Sequence, residues 1–257
     1  MRSWFVLLAA SIAACVPASE ARPPAGAAGF DTDPSEATKV GRYTTGDGWT
    51  VDIQRFVLQL SVAATPSSES YGRSERWLFD GRQPAVIYSR ALPIGGARVS
   101  FDLYGRYLSF RSKGSSSDEV DMVNIDAETA ARFEQPADND GPASGNEYSS
   151  LYGRGPSLWI TLRAEKDRVI TLDLALNAVL NSGRFDSTSG VPTEVPENDV
   201  GKVKLGIAAE NLFPFFDPIA EADAEGNDDG NVTVAEMQNR RLLDQLETRL
   251  SFVFAPR

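Results

Sequence analysis

Histidine is absent from all 257 residues, which removes the usual general base at neutral pH and the commonest transition-metal ligand. Cysteine occurs once, at Cys15, so no disulfide staples the chain, and zinc or copper would find neither imidazole nor a thiolate cluster. No phosphate-cradling glycine loop ending in Lys-Ser or Lys-Thr is present, and no Gly-x-Ser-x-Gly nucleophile elbow. Positive charge is scarce as well: 25 Lys and Arg stand against 36 Asp and Glu, a net charge of -11. Such a surface repels phosphate backbones, which argues against nucleic acid as a partner and for a cation. What is present, 42% hydrophobic residues over this length, is enough for a substantial core.

The N-terminus carries a short apolar run, Trp4 to Ala14, after Arg2. It is too short to cross a bilayer and has the proportions of a signal peptide. Ile12, Ala13, Ala14 and Cys15 resemble the lipobox of bacterial lipoproteins. That resemblance implies a signal peptide over 1–14, lipidation of Cys15, and a membrane anchor. Val16 follows the cysteine where aspartate would redirect sorting, so the resemblance places the protein in the cell envelope at the outer membrane. Residues 15–47 are rich in Pro, Ala, Gly and charge without an apolar period, and read as the lipidated cysteine and a flexible tether. Asp31 and Asp33 fall in it as solvating charges.

From residue 48 the pattern alternates. Trp49, Val51 and Ile53 share one phase, and Phe56, Leu58, Leu60 and Val62 resume with the phase shifted past Gln54 and Arg55. A bulge or a break between two strands produces such a shift. Val99, Phe101 and Leu103 alternate before Gly105, with Leu108 and Phe110 beyond. Ser157–Leu162 and Val169–Leu176 form a hairpin around "RAEKD", and Val203, Leu205 and Ile207 repeat the pattern. Strands with one apolar face each imply a mainly β fold, an antiparallel β-sandwich over 48–212.

Two stretches read as helix. In "DAETAARFEQ" Asp126 is the expected N-cap and Pro136 the stop. A longer one runs from Val234 to Ser251, its stripe of Met237, Leu242, Leu246 and Leu250 packing on Leu212, Phe213, Phe215 and Phe216. Together, 213–257 form a C-terminal loop and helix.

The run from Ala220 to Gln238, "AEADAEGNDDGNVTVAEMQ", holds the densest chemistry. Calcium needs six to eight oxygens and a glycine at the sharp turn of its loop. With Gly230 sixth in an EF-hand-like loop, the metal ligands are Glu225, Asn227, Asp229, the Asn231 carbonyl, Thr233 and Glu236, with aliphatic Val232 eighth. Asp223 offers an alternative first ligand, with two extra residues in the loop. Thr233 and Glu236 also spell a capping box, which accounts for both without metal. Against that, eight carboxylates and no Lys or Arg lie between Lys204 and Arg240, and like charge so dense is costly unless neutralised.

The segments "GDGWTVDIQRFVLQL", "GPSLWITLRAEKDRVITLDLAL" and "AAENLFPFFDPIAEADAEGNDDGNVTVAEM" resemble uncharacterised bacterial lipoproteins that join a β-rich domain to an EF-hand-like segment. The likeness spans most of the mature chain and implies a fold and a location, with no established activity. Members often carry histidines before the "LF" of the last strand, where this chain has Ala208, Ala209 and Glu210. Two functions stay open: a calcium-stabilised binding or adhesion module facing an envelope protein or polysaccharide, or a histidine-free envelope hydrolase working with Asp and Glu. Asp138 and Asp140 in "DNDG" are turn residues that a hydrolase or a second cation site would use.

Overall fold

The computed structural model describes residues 25–68, 72–103, 120–139, 155–178, 180 and 190–256. The signal-peptide segment 1–14, the lipidation site Cys15, the strand positions Leu108 and Phe110, and Asp140 lie outside the described residues. In chain order the first strands are β1 (Gly26–Pro34), β2 (Arg42–Thr44), β3 (Thr50–Pro66), β4 (Arg73–Asp80), β5 (Val86–Leu92), β6 (Gly95–Leu103) and β7 (Val120–Val123). Then come β8 (Leu158–Glu165), β9 (Val169–Leu176), β10 (Val191–Val195), β11 (Val200–Ile207), β12 (Asn231–Val232) and β13 (Phe254–Pro256). Helices are α1 (Glu36–Val40), α2 (Ala127–Arg132), α3 (Asp217–Glu225), α4 (Val234–Asn239) and α5 (Leu242–Val253), with a 3-10 turn at Ala209–Asn211.

The molecule is mainly β and its sheets are mixed. A four-stranded sheet has the order β13-β11-β1-β5, and the larger one runs β10-β6-β3-β8-β9-β12 with β2, β4 and β7 added at the side. Neither closes into a barrel. The expected purely antiparallel pairing is corrected at three places, since β1 runs parallel to β11, β7 to β4 and β12 to β9. Each of these pairs joins strands distant in sequence, and a long crossover permits parallel pairing where a hairpin forbids it.

Strand β3 organises the larger sheet. Its first half pairs with β8 and its second with β6, while β2 and β4 take the other edge. The register slips between Ile53 and Arg55, so the phase shift is a bulge inside one long strand. The extra residue returns Phe56, Leu58, Leu60 and Val62 to the face already used by Trp49, Val51 and Ile53, and all of them are buried in one core. The hairpin β8–β9 pairs from Leu158–Leu176 to Glu165–Val169, as its alternation predicts.

The tether expected over 15–47 is corrected from Gly26 onward. There the chain is strand β1, flanked by β11 and β5 and buried along nearly its whole length. Small residues hide it: a Cβ on Gly29 would sit 2.0 Å from the Ile87 carbonyl oxygen, so the neighbouring backbone occupies the space where an apolar side chain would have signalled a strand. Phe30 is 1% exposed and meets Phe101 of the larger sheet edge-on at 5.4 Å between centroids.

The C-terminal segment, described over 213–256, is likewise part of the main body. β13 pairs with β11, Phe254 packs on Phe101 at 5.2 Å, and Leu246, Leu250 and Val253 of α5 join the core containing β1 and β3. The single helix read over Val234–Ser251 is two, because Arg241 takes a left-handed φ of 56° between α4 and α5. On the opposite face of the larger sheet, α2 starts at its Asp126 cap, and a small cluster of Val57, Leu78, Phe133, Trp159 and Ala175 lies there.

A tether would not respond to truncation of an apolar side chain, and a central strand would. Phe30→Ala is expected to cost about 3–5 kcal/mol of folding stability, measured as a lower denaturant midpoint at unchanged slope.

Candidate functional site

The acidic run becomes a helix, a loop, a two-residue strand and a second helix. Its first helix, α3, has Pro218 in the opening turn and Phe216 at the N-cap position, where no side chain of its own caps it. The cap comes from far away. Asp47, in the turn between β2 and β3, accepts from the backbone N–H groups of Phe216 and Asp217, both at 2.6 Å. The Thr45 hydroxyl donates to the same carboxylate at 2.5 Å, and Trp49 Nε1 donates to Asp217 at 2.8 Å. Burial opposes ionisation of Asp47, but the Asp217 N–H, the Thr45 hydroxyl and the Phe216 N–H outweigh it and hold the carboxyl below its ordinary range.

At the other end of α3 the wholly buried Asp223 turns into the loop, and its Oδ1 accepts the Gly230 N–H at 3.0 Å. The chain doubles back through Asp228 at φ 51° and Gly230 at φ 80°. Asn231–Val232 then lies parallel to Thr171–Leu172 of β9, so the aliphatic eighth place of the loop is tied to the sheet. Thr233 caps α4 and closes a full capping box with Glu236. Glu236 Oε2 accepts from the Thr233 N–H at 2.7 Å and its hydroxyl at 2.8 Å, and Oε1 accepts from the Asn227 N–H at 3.2 Å. The Thr233 N–H is the main cause that holds Glu236 below the usual carboxyl range, against partial desolvation and with further help from the Thr233 hydroxyl and Asn227. Gly226 makes room for this carboxylate, since a Cβ there would lie 2.1 Å from Glu236 Oε1.

The six residues read as ligands do not all converge. Glu225 turns outward to Arg240, which also binds Glu221 at 2.6 Å. Asn227 Nδ2 donates to Asp229 at 3.0 Å, and the Asn231 N–H donates to the same carboxylate at 2.8 Å. Asn231 Oδ1 accepts the Thr171 hydroxyl at 2.6 Å. Among the described residues no group of three or more His, Cys, Asp and Glu is gathered as a metal cluster. Asp223 and Glu236 each accept a backbone N–H of the loop, from Gly230 and Asn227 respectively, whereas Glu225 does not turn into it.

Counter-charge reaches the run from outside it. Arg168, in the β8–β9 turn, pairs with Asp223, and with Asp228 at 2.7 Å. Arg240 clamps Glu221 and Glu225 from the far side. Neutralisation that the sequence assigned to a cation is therefore supplied in part by two guanidinium groups. A reading confined to the run could not see Arg168, sixty residues before Asp228 in the chain.

Other described sites carry less chemistry. Glu210 accepts the hydroxyls of Ser35 and Thr38 at 2.9 and 2.8 Å and ties α1 to the 3-10 turn. A cleft of about 410 Å³ is lined by Gln54, Asp138, Thr161, Thr171, Asp173 and Thr233, among others. Its carboxylates are already engaged: Asp138 binds Arg132 and the Ala175 N–H, and Asp173 binds Trp159 Nε1 at 2.6 Å and the Thr161 hydroxyl at 2.9 Å. The carboxyls that burial pushes upward, Asp102 and Glu247, are not among the residues lining it.

Asp47 and Glu236 both ionise more readily in the folded chain than in the unfolded one. Their contribution is full above the unfolded carboxyl range and is lost as pH falls through the folded values, which lie below the unfolded ones. Asp47→Ala is expected to cost about 1–2 kcal/mol at neutral pH, as loss of a helix cap does, and to flatten the decline in stability on acidification. Denaturant melts at pH 7 and pH 3 measure both effects.

Compared with protein-family models, with curated proteins and with solved structures, the chain matches none.

Proposed function

We propose that this chain is a lipid-anchored protein of the cell envelope, a β-sandwich serving as a binding or adhesion module, with calcium clamping the loop between α3 and α4. The observation that carries the metal part is the inward orientation of two shielded carboxylates, Asp223 and Glu236, on two different helices. Asp223, Asn227, Asp229, the Asn231 carbonyl, Thr233 and Glu236 would hold the ion, with Glu225 left outside on Arg240. These are hard oxygen donors of the kind calcium takes. Bound there, calcium supplies positive charge and a link from α3 to α4. In an envelope setting such a site is occupied permanently and is structural, and the tie of Val232 to β9, in place of a second hand, supports a clamp over a sensor.

The anchor rests on Cys15 and the lipobox resemblance, and the sandwich on two sheets sharing one core. Only ten residues, 16–25, stand between Cys15 and β1, a reach of about 35 Å at full extension, so the module works close to its membrane. The partner is an envelope protein or polysaccharide. The histidine-free hydrolase gains no support, because the carboxylates of the described cleft are consumed by Arg132, Trp159 and backbone N–H groups.

Two measurements check this. Free calcium at ten times its dissociation constant adds about 1.4 kcal/mol to the folded state, a rise of about 3–5 °C in the thermal midpoint for a domain of this size. Glu236→Gln should show a much smaller rise, and identical melting of wild type in calcium and in chelator would reduce Thr233 and Glu236 to a helix cap. Separately, Cys15→Ser is expected to shift the protein from the membrane fraction to the soluble fraction or to block its processing. Unchanged fractionation removes the anchor.

A further inference from the structure

The β8–β9 turn is pinned to the acidic pole by two cations. Lys166 Nζ lies 3.2 Å from Asp217 and 5.9 Å from the centre of the Trp49 ring. Arg168 reaches further, to Asp223 and Asp228. Their environments differ: the Arg168 side chain is 35% exposed and that of Asp223 is 0% exposed. Asp223 Oδ1 takes the Gly230 N–H, and Oδ2 faces the Arg168 guanidinium, its one ion-pair partner among the described residues. An ionised carboxylate without water needs an opposite charge. In this structure that charge is an arginine on a different element from the loop.

We propose that Arg168 is the loop's resident counter-ion, holding Asp223 and Asp228 when no metal is bound and leaving when calcium enters. The inference rests on calcium binding in the Asp223 register. A divalent ion held by Asp223 and Glu236 would need the same Asp223 oxygen, and it would repel a guanidinium left in contact with that carboxylate. Ion and arginine therefore exclude one another. Calcium affinity becomes a difference, the coordination gained less the ion pairs given up. By reciprocity, loading the loop releases the β8–β9 turn from one of its two fastenings, leaving Lys166 on Asp217. A metal that tightens the link between α3 and α4 thus loosens the hairpin tip beside it.

Calorimetric titration of calcium into wild type, Arg168→Gln and Arg168→Lys tests the competition. Arg168→Gln is expected to bind about fivefold more tightly or better, and Arg168→Lys, which keeps the charge, to fall between. Equal or weaker binding by Arg168→Gln overturns the competition while leaving calcium in the loop. Absence of binding in all three proteins overturns the calcium reading and the competition with it. If Arg168→Gln does not fold in chelator, because Asp223 has lost its counter-charge, recovery of its near-ultraviolet circular dichroism on adding calcium supports the exchange. Failure to recover in calcium overturns it.

Discussion

A carboxylate shut off from bulk solvent must be given both donors and positive charge, and Asp223, 0% exposed, is in that position. The layout of the acidic pole follows from meeting the need. Gly230 turns its N–H onto one oxygen, which fixes the fold of the loop, and Arg168 covers the other, which brings the β8–β9 turn against it. With the turn in place, Lys166 lies near Asp217 and the Trp49 ring, and Trp49 packs on Phe216 at 5.3 Å. Arg240 then collects the outward carboxylates of α3. Most of these pairs are surface pairs of small individual worth. The one with a buried member is the one whose loss the structure could least absorb.

No covalent staple supports the described fold, and the work is done by one continuous apolar core. Both sheets and the two C-terminal helices contribute to it. Phe101 is the meeting point, touching Phe30 from the beginning of the chain and Phe254 from its end. Edge-on rings of this kind add about 0.5–1.5 kcal/mol beyond the area they bury. Through such contacts a residue near the N-terminus and one near the C-terminus depend on the same middle strand.

Where a signal is local, the sequence carried it. The alternation of β3, β6, β8, β9 and β11 is written in consecutive residues, and the bulge at Gln54 shows as a slip in that alternation. The caps at Asp126 and Thr233 lie within four residues of the groups they satisfy. Where the signal is relational it was invisible. β1 has small side chains because its neighbours' backbones press on it, which composition reads as tether. The break at Arg241 is a single left-handed residue inside an otherwise helical stripe. Asp47 caps a helix whose first residue lies 170 positions further along, and no window of sequence joins the two. The acidic run was legible as a polar turn ahead of a capping box at Thr233 and Glu236, while the outward turn of Glu225 depends on Arg240 reaching back to it.

The position of β1 bears on how the chain comes to be folded at all. It lies between β5 and β11, and β11 in turn takes β13 at the very end of the described chain. During synthesis the first strand has no parallel neighbour until residues 200–207 have emerged, and the small sheet has no outer edge strand beyond β11 until residues 254–256 have. Contacts so distant in sequence make closure late and slow. The topology itself withholds the native state until strands from both ends of the described chain are available together, so the order of the strands makes folding a late, whole-domain event.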